Sequence, residues 1–249
     1  MCLCGDFLFI KLKILPTRNR GKHPSDDKLF AAKWHLTFKE AIDDYSFLKS
    51  RGYGMNSVLE IVGNRYRLNK RQQNAILRIG ASEQEIQLRK SKELLPKDLK
   101  NKTVSIDGFN LLILLESALS GAYIFRGRDG TYRDISSVHG SYKRVQKTET
   151  AILLVGNILK KMEVASVEWY LDAPISNSGR LKTMLLEISK NQLFNWSVEL
   201  VNNPDKVLAE NCKIVVSSDG WVIDHAVNWF NIGGHLIQNE LENLNILEL

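Results

Sequence analysis

The chain has 249 residues, 44% of them hydrophobic, enough to bury one large core or two modest ones. No apolar run approaches the roughly 20 residues of a membrane span, and the apolar stretch Phe7–Leu15 is broken by Lys11 and Lys13 with no small-residue cleavage site after it. Three cysteines in no paired spacing argue against a disulfide framework, and Cys2-x-Cys4 with His23 lacks a fourth zinc ligand, so the expectation is a cytoplasmic protein without a membrane partner.

The net charge of +6 is unevenly placed. Residues 1–100 carry 20 Lys/Arg against 11 Asp/Glu, and the remainder carries 14 against 17. A basic module able to meet phosphates thus precedes an acidic module able to hold cations.

In chain order, residues 1–28 mix Pro16, Gly21 and Pro24 with charges and show no periodicity, which predicts a poorly ordered arm. Residues 29–100 read as a small, basic, all-helical domain. Phe38, Ala41, Ile42, Tyr45 and Leu48 recur at helical spacing, with Thr37 placed as N-cap and Gly52 at the end. Asn56 or Ser57 opens a second helix, Asn69 a third that stops before Gly80, and Ser82 a fourth, with Glu85 completing a capping box. Pro96 and the lysine-rich run after it mark the boundary.

Residues 103–249 alternate strands with helices and predict an α/β domain with a parallel sheet flanked by helices. The expected strands are Thr103–Asp107, Ser166–Leu171, Ser197–Val201, Lys213–Ser217 and Gly234–Ile237. Helices are expected over Gly108–Ser120, Val145–Met162, Ser178–Leu193, Asp205–Glu210 and Val222–Phe230. Tyr123–Ile135 alternates around Asp129-Gly130, a hairpin turn signal.

Aspartates end or follow several of those strands. They are Asp107, Asp172, Asp205 and Asp219, with Asp224 a helical turn or two beyond the last. In an open α/β sheet ligands gather beyond the carboxyl ends of the strands, so these residues are expected to converge there. Unpaired carboxylates in one cleft repel one another, and a hard divalent cation, Mg2+ or Mn2+, relieves that repulsion. Taken singly, each aspartate is more simply explained as a loop or helix-cap residue; the set of four in one topology points to a site.

Asp107-Gly108-Phe109-Asn110 resembles the opening Asp-Gly-x-Asn motif of the NYN branch of PIN-like nucleases. Asn203-Pro204-Asp205, followed by Ile214–Val216, Ser217-Ser218-Asp219-Gly220 and Asp224, is similar to that family's later half, where a hydrophobic strand ends in Ser-x-Asp. The likeness spans residues 103–238. It implies a PIN-like fold and a metal-dependent ribonuclease with catalytic Asp107, Asp172, Asp205 and Asp219, one or two Mg2+ or Mn2+ ions held by these and Asp224, and self-pairing as in many relatives. Glu116 and Asp172 both compete for the acidic position midway through such a domain. The whole chain is also similar to an uncharacterised, largely archaeal family whose helical domain of unknown function has a core like Arg51-Gly52-Tyr53 and Val62-Gly63-Asn64-Arg65-Tyr66-Arg67-Leu68.

Substrate contacts are expected from Asn110, from Ser178 and Arg180 at a helix start, and from Arg126, Arg128 and Arg133 among the hairpin aromatics, which suit single-stranded RNA. In the helical domain Arg65, Arg67, Lys70, Arg71 and Arg78 can hold a nucleic-acid backbone. Two other functions fit the same residues. One is a nucleic-acid-binding protein whose PIN-like domain has lost catalysis, and the other is a helix–turn–helix regulator with an α/β sensor.

Overall fold

A computed structural model describes residues 19–136 and 142–249. The helical region contains α1 (Asp26–Leu29), α2 (His35–Ser50), α3 (Met55–Arg65), α4 (Lys70–Ile79) and α5 (Glu83–Lys92). Local chemistry sets two of these starts. Asn69 and Gln72 form a reciprocal capping box on α4, and Ser82 and Glu85 form another on α5, so the first orphan N–H groups are satisfied by side chains. The expected caps of α2 and α3 are displaced: Trp34 and Gly54 hold those positions, without side-chain hydrogen bonds.

Residues 19–28 do not behave as a loose arm. Asp26 is buried and receives two hydrogen bonds from Arg71, while Arg20 Nε reaches Glu116 Oε2 at 2.5 Å. Phe30, just beyond, packs its ring 5.0 Å from that of Phe125 and 5.3 Å from Tyr123. The first part of the expected arm, residues 1–18, lies outside the described residues.

The α/β region runs β1 (Thr103–Asp107), α6 (Gly108–Leu119), β2 (Tyr123–Arg126), β3 (Tyr132–Arg133), α7 (Thr148–Lys161), β4 (Ser166–Asp172), α8 (Ser178–Gln192), β5 (Trp196–Val201), α9 (Pro204–Asn211), β6 (Ile214–Val216), α10 (Gly220–His225), β7 (Asn228–Trp229), α11 (Ile232–Asn239) and β8 (Asn245–Leu247). Its main sheet has the order β5-β4-β1-β6-β7, with every pairing parallel. Parallel pairing needs crossovers, and these carry the helices that flank the sheet. Ile106, Leu112, Trp169 and Leu171 are fully buried between them.

Two elements differ from expectation. Gly234–Ile237 lies inside α11, because Ile232, Leu236 and Ile237 bury one helical face and the Asn231 side chain caps the Gly234 N–H. Val222–Phe230 is divided: α10 ends at His225, and Asn228–Trp229 becomes the edge strand β7.

The expected hairpin forms, with Phe125 opposite Arg133, and β8 adds to it in parallel as a second, three-stranded sheet. This small sheet is the seat of the helical region. Phe125 and Leu247 join Phe38, Tyr45, Val62 and Ile76 in one apolar cluster, so the helical region shares a core with the α/β part.

Arg89 of α5 ties the same parts together by charge. It gives two hydrogen bonds to Asp224 at 2.7 and 2.8 Å and one to Asp129 at 2.5 Å, with only 4% of its surface exposed. Arg133 adds two more to Asp129. Burial works against the charge of Asp129, but the two arginines outweigh it and hold the carboxyl below its ordinary range.

Candidate functional site

β1 delivers Asp107 to the carboxyl edge of the sheet, and the chain must turn at once into α6. Gly108 permits this. A Cβ there would stand 2.5 Å from Leu171 Cδ2 and 3.1 Å from the Tyr170 carbonyl, so the Asp-Gly pair reflects a close approach to β4. Because Asp107 aligns with Tyr170, parity in a parallel ladder puts Asp107 and Asp172 on one face of the sheet.

On the other side, Ile106 aligns with Val216, which brings the loop after β6 against Asp107. Ser217 Oγ donates to Asp107 Oδ2 at 2.8 Å and accepts from the Asp219 N–H at 3.0 Å. Asp107 Oδ1 also receives a long hydrogen bond, 3.4 Å, from the Asn110 N–H. Asp219 caps α10, its Oδ1 accepting from Trp221 and Val222 N–H. Ser217 is thus a positioning residue that the sequence reading left without a role; the Ser-x-Asp strand end was its signal.

The electrostatics bind four aspartates together. Burial pushes the Asp107 carboxyl up to about 7; the Ser217 hydroxyl opposes this, while the negative charges of Asp205 and Asp219 add to it. Asp205 is open to solvent as a whole residue, yet its carboxyl is raised by the protein around it, then by Asp219 and Asp172. Asp172 is raised by burial, and its Oδ1 is buried with no hydrogen-bond partner. Among the described residues these carboxylates form no ion pair, and their oxygens are hard donors of the kind that suits a hard divalent cation. Among the described residues, however, no group of three or more His, Cys, Asp or Glu side chains is set to grip an ion as it stands. Asp107 is held by Ser217, and one oxygen of Asp219 is held by the first turn of α10.

Other expected site residues are employed elsewhere. Both oxygens of Asp224 are taken by Arg89, which removes it from the metal set. Arg133 is buried and donates to Ser218 O, Arg78 O and Asp129, so it braces the hairpin and is not available to substrate. Arg126 pairs with Glu248, and Arg128 with Asp43 and Glu83. Asn110 Oδ1 accepts from both the backbone N–H and the hydroxyl of Ser218, tying α6 to the β6–α10 loop in preference to facing a ligand.

Ser178 does not cap α8. Asn177 is the N-cap, and the buried Ser178 hydroxyl donates to the Ala173 carbonyl; Arg180 is exposed. In the helical region Arg71 is committed to Asp26 and Arg65 to Asp44, whereas Arg67 and Lys70 are exposed. Glu116 is fully buried among Arg20, Tyr142 and Thr148, in a structural network away from the sheet edge that Asp172 ends.

The protein is of the α/β class, with aspartates along the carboxyl edge of its parallel sheet and a helical region packed on its small second sheet. The chain belongs to the family described as Domain of unknown function (DUF5616), which matches residues 96–235. The family described as Protein of unknown function (DUF434) matches residues 37–92. It is also similar to the uncharacterized protein MJ0935 of Methanocaldococcus jannaschii, 38% identical over 188 residues, which cover 76% of this chain and 89% of that protein. No solved structure matches the chain, and no helix among the described residues is long and apolar enough to cross a membrane.

Proposed function

We propose that this protein is a metal-dependent ribonuclease of the PIN-like kind, hydrolysing RNA phosphodiesters at Asp107, Asp172, Asp205 and Asp219. The observation that carries the reading is the burial of Asp107 at the carboxyl edge of the sheet, held by the Ser217 hydroxyl and near the negative charges of Asp205 and Asp219. Such an arrangement disfavours its own ionisation, and residues that tolerate it at a sheet edge are functional-site candidates. The strand-end motif Asp107-Gly108-Phe109-Asn110 supports the PIN-like comparison.

Asp107 and Asp219 would hold Mg2+ or Mn2+ directly, with Asp205 and Asp172 completing the oxygen set. When bound, such an ion lowers the pKa of its water and neutralises charge on a phosphate. Ser217 positions Asp107 and the Asp219 backbone through one hydroxyl. Asn110 fixes the loop that carries Asp219.

A second reading, a nucleic-acid-binding protein without cleavage, is favoured by the spread of the carboxylates and by Asp219 being spent on a helix cap. Incubating labelled RNA with Mn2+ or Mg2+ separates the two. Cleavage that is lost in Asp107→Asn and in Asp219→Asn supports the nuclease; cleavage that survives both substitutions rejects the site, and RNA bound but uncut favours the second reading.

A further inference from the structure

Between the helical region and α10 lies a cleft of about 710 Å3, lined on one side by Lys49, Met55, Asn74 and Arg78 and on the other by Asp219 and Trp221. We propose, resting on the reading of the aspartate edge as a nuclease site, that a single-stranded nucleic acid lies in this cleft. One unstacked base sits on Trp221 and a neighbouring phosphate on Arg78.

Trp221 is a large aromatic left open at a charged site. One side of its indole is stacked on the His225 ring, centroids 4.3 Å apart, yet 48% of the residue is exposed. Met55, 49% exposed, supplies an apolar contact from the facing wall.

The cations of the cleft are nearly all spent. Lys49 is paired with Glu85, Arg89 with Asp129 and Asp224, and Arg133 with Asp129. Arg78 makes no ion pair among the described residues, although the buried Asp134 feels its charge. One unpaired guanidinium and one open indole, on opposite walls and beside Asp219, match a phosphate and a base that lead toward the aspartate edge.

A cleft of this volume takes a ligand of one or two nucleotides. A duplex keeps its base faces stacked on one another and has none to offer Trp221, so the chemistry selects a single strand. The helical region then forms one wall of the substrate path.

Fluorescence anisotropy of the full chain with a fluorescein-labelled ten-nucleotide oligouridylate, in EDTA, tests this. Trp221→Ala should weaken binding about 5- to 100-fold and Trp221→Phe should largely restore it, as stacking requires. Arg78→Gln should lower the salt dependence by about one phosphate contact. Wild-type affinity in both Trp221→Ala and Arg78→Gln, absence of binding by the wild type, or preference for a duplex of equal length would overturn the proposal. Reading binding without metal keeps the two ideas apart. Oligouridylate held through Trp221 and Arg78 but never cut with Mn2+ supports the path and rejects the nuclease. Cutting that depends on Asp219 but ignores Trp221 and Arg78 does the reverse.

Discussion

Asp219 and Asp224 stand at the two ends of one six-residue helix, α10, and belong to opposite electrostatic neighbourhoods. Asp224 shares Arg89 with Asp129, and Arg133 closes the group, so its carboxylates are matched by guanidinium forks. Asp219 caps the start of the helix, and its charge adds to those of Asp107 and Asp205. Burial acts on Asp129 and Asp107 alike. The first ends below its ordinary range and the second is pushed up to about 7, because only the first has cations in contact. A buried carboxylate with partners is a fastener; one without partners has a cost that some other gain must offset.

The largest test of that contrast removes the fastener. Arg89→Ala takes the ionic partner from Asp224 and leaves the buried Asp129 with Arg133 alone, and should lower unfolding free energy by about 3 kcal/mol in urea titrations. The exposed Arg180→Ala should stay within about 0.5 kcal/mol.

The two neighbourhoods should also respond to pH with opposite sign. Asp107 binds its proton more tightly folded than unfolded, so below the unfolded value it costs nothing. As pH rises from about 4 to about 7 in a chelator, it should remove about 1.4 kcal/mol of stability per unit, levelling off above that range. Asp107→Asn should flatten this limb. Asp129, held low, contributes stability above about pH 4 that disappears as the solution becomes more acidic, and Asp129→Asn should abolish only that acidic loss.

Mn2+ should narrow the difference between the neighbourhoods by giving the unpaired one its cation. At about 100 times Kd the gain is about 2.7 kcal/mol, a rise in Tm of about 5–10 °C for a chain of this size. Calorimetry should find it in wild type and not in Asp107→Asn; equal rises in both would remove the cation from this edge. A smaller effect belongs to the loop between the neighbourhoods. Asn110→Ala frees the Ser218 N–H and hydroxyl and should cost about 1–2 kcal/mol in urea titrations.

Local chemistry made much of the fold legible. The capping boxes at Asn69 and Ser82 and the strand ending at Asp107 lie where residue types and spacing place them. Short apolar stretches were less decisive. Gly234–Ile237 satisfies a strand pattern and a helical one equally, and only packing against α6 and the Asn231 cap selects the helix. Pairing partners were illegible for a related reason. Arg89 and Asp224 are 135 positions apart, and no local pattern distinguishes an aspartate that will meet an arginine from one that will not.

The alternation of strands and helices and the row of aspartates after the strands follow from local residue order, because periodicity, capping and turn chemistry act over a few residues. Long-range packing sets which aspartates meet an arginine among the described residues, seats the helical region on the small sheet through Phe125 and Leu247, and brings Trp221 and Arg78 to one cleft. Those outcomes depend on groups far apart in the chain, whose meeting is set by the packing of the whole core and not by any neighbouring residue.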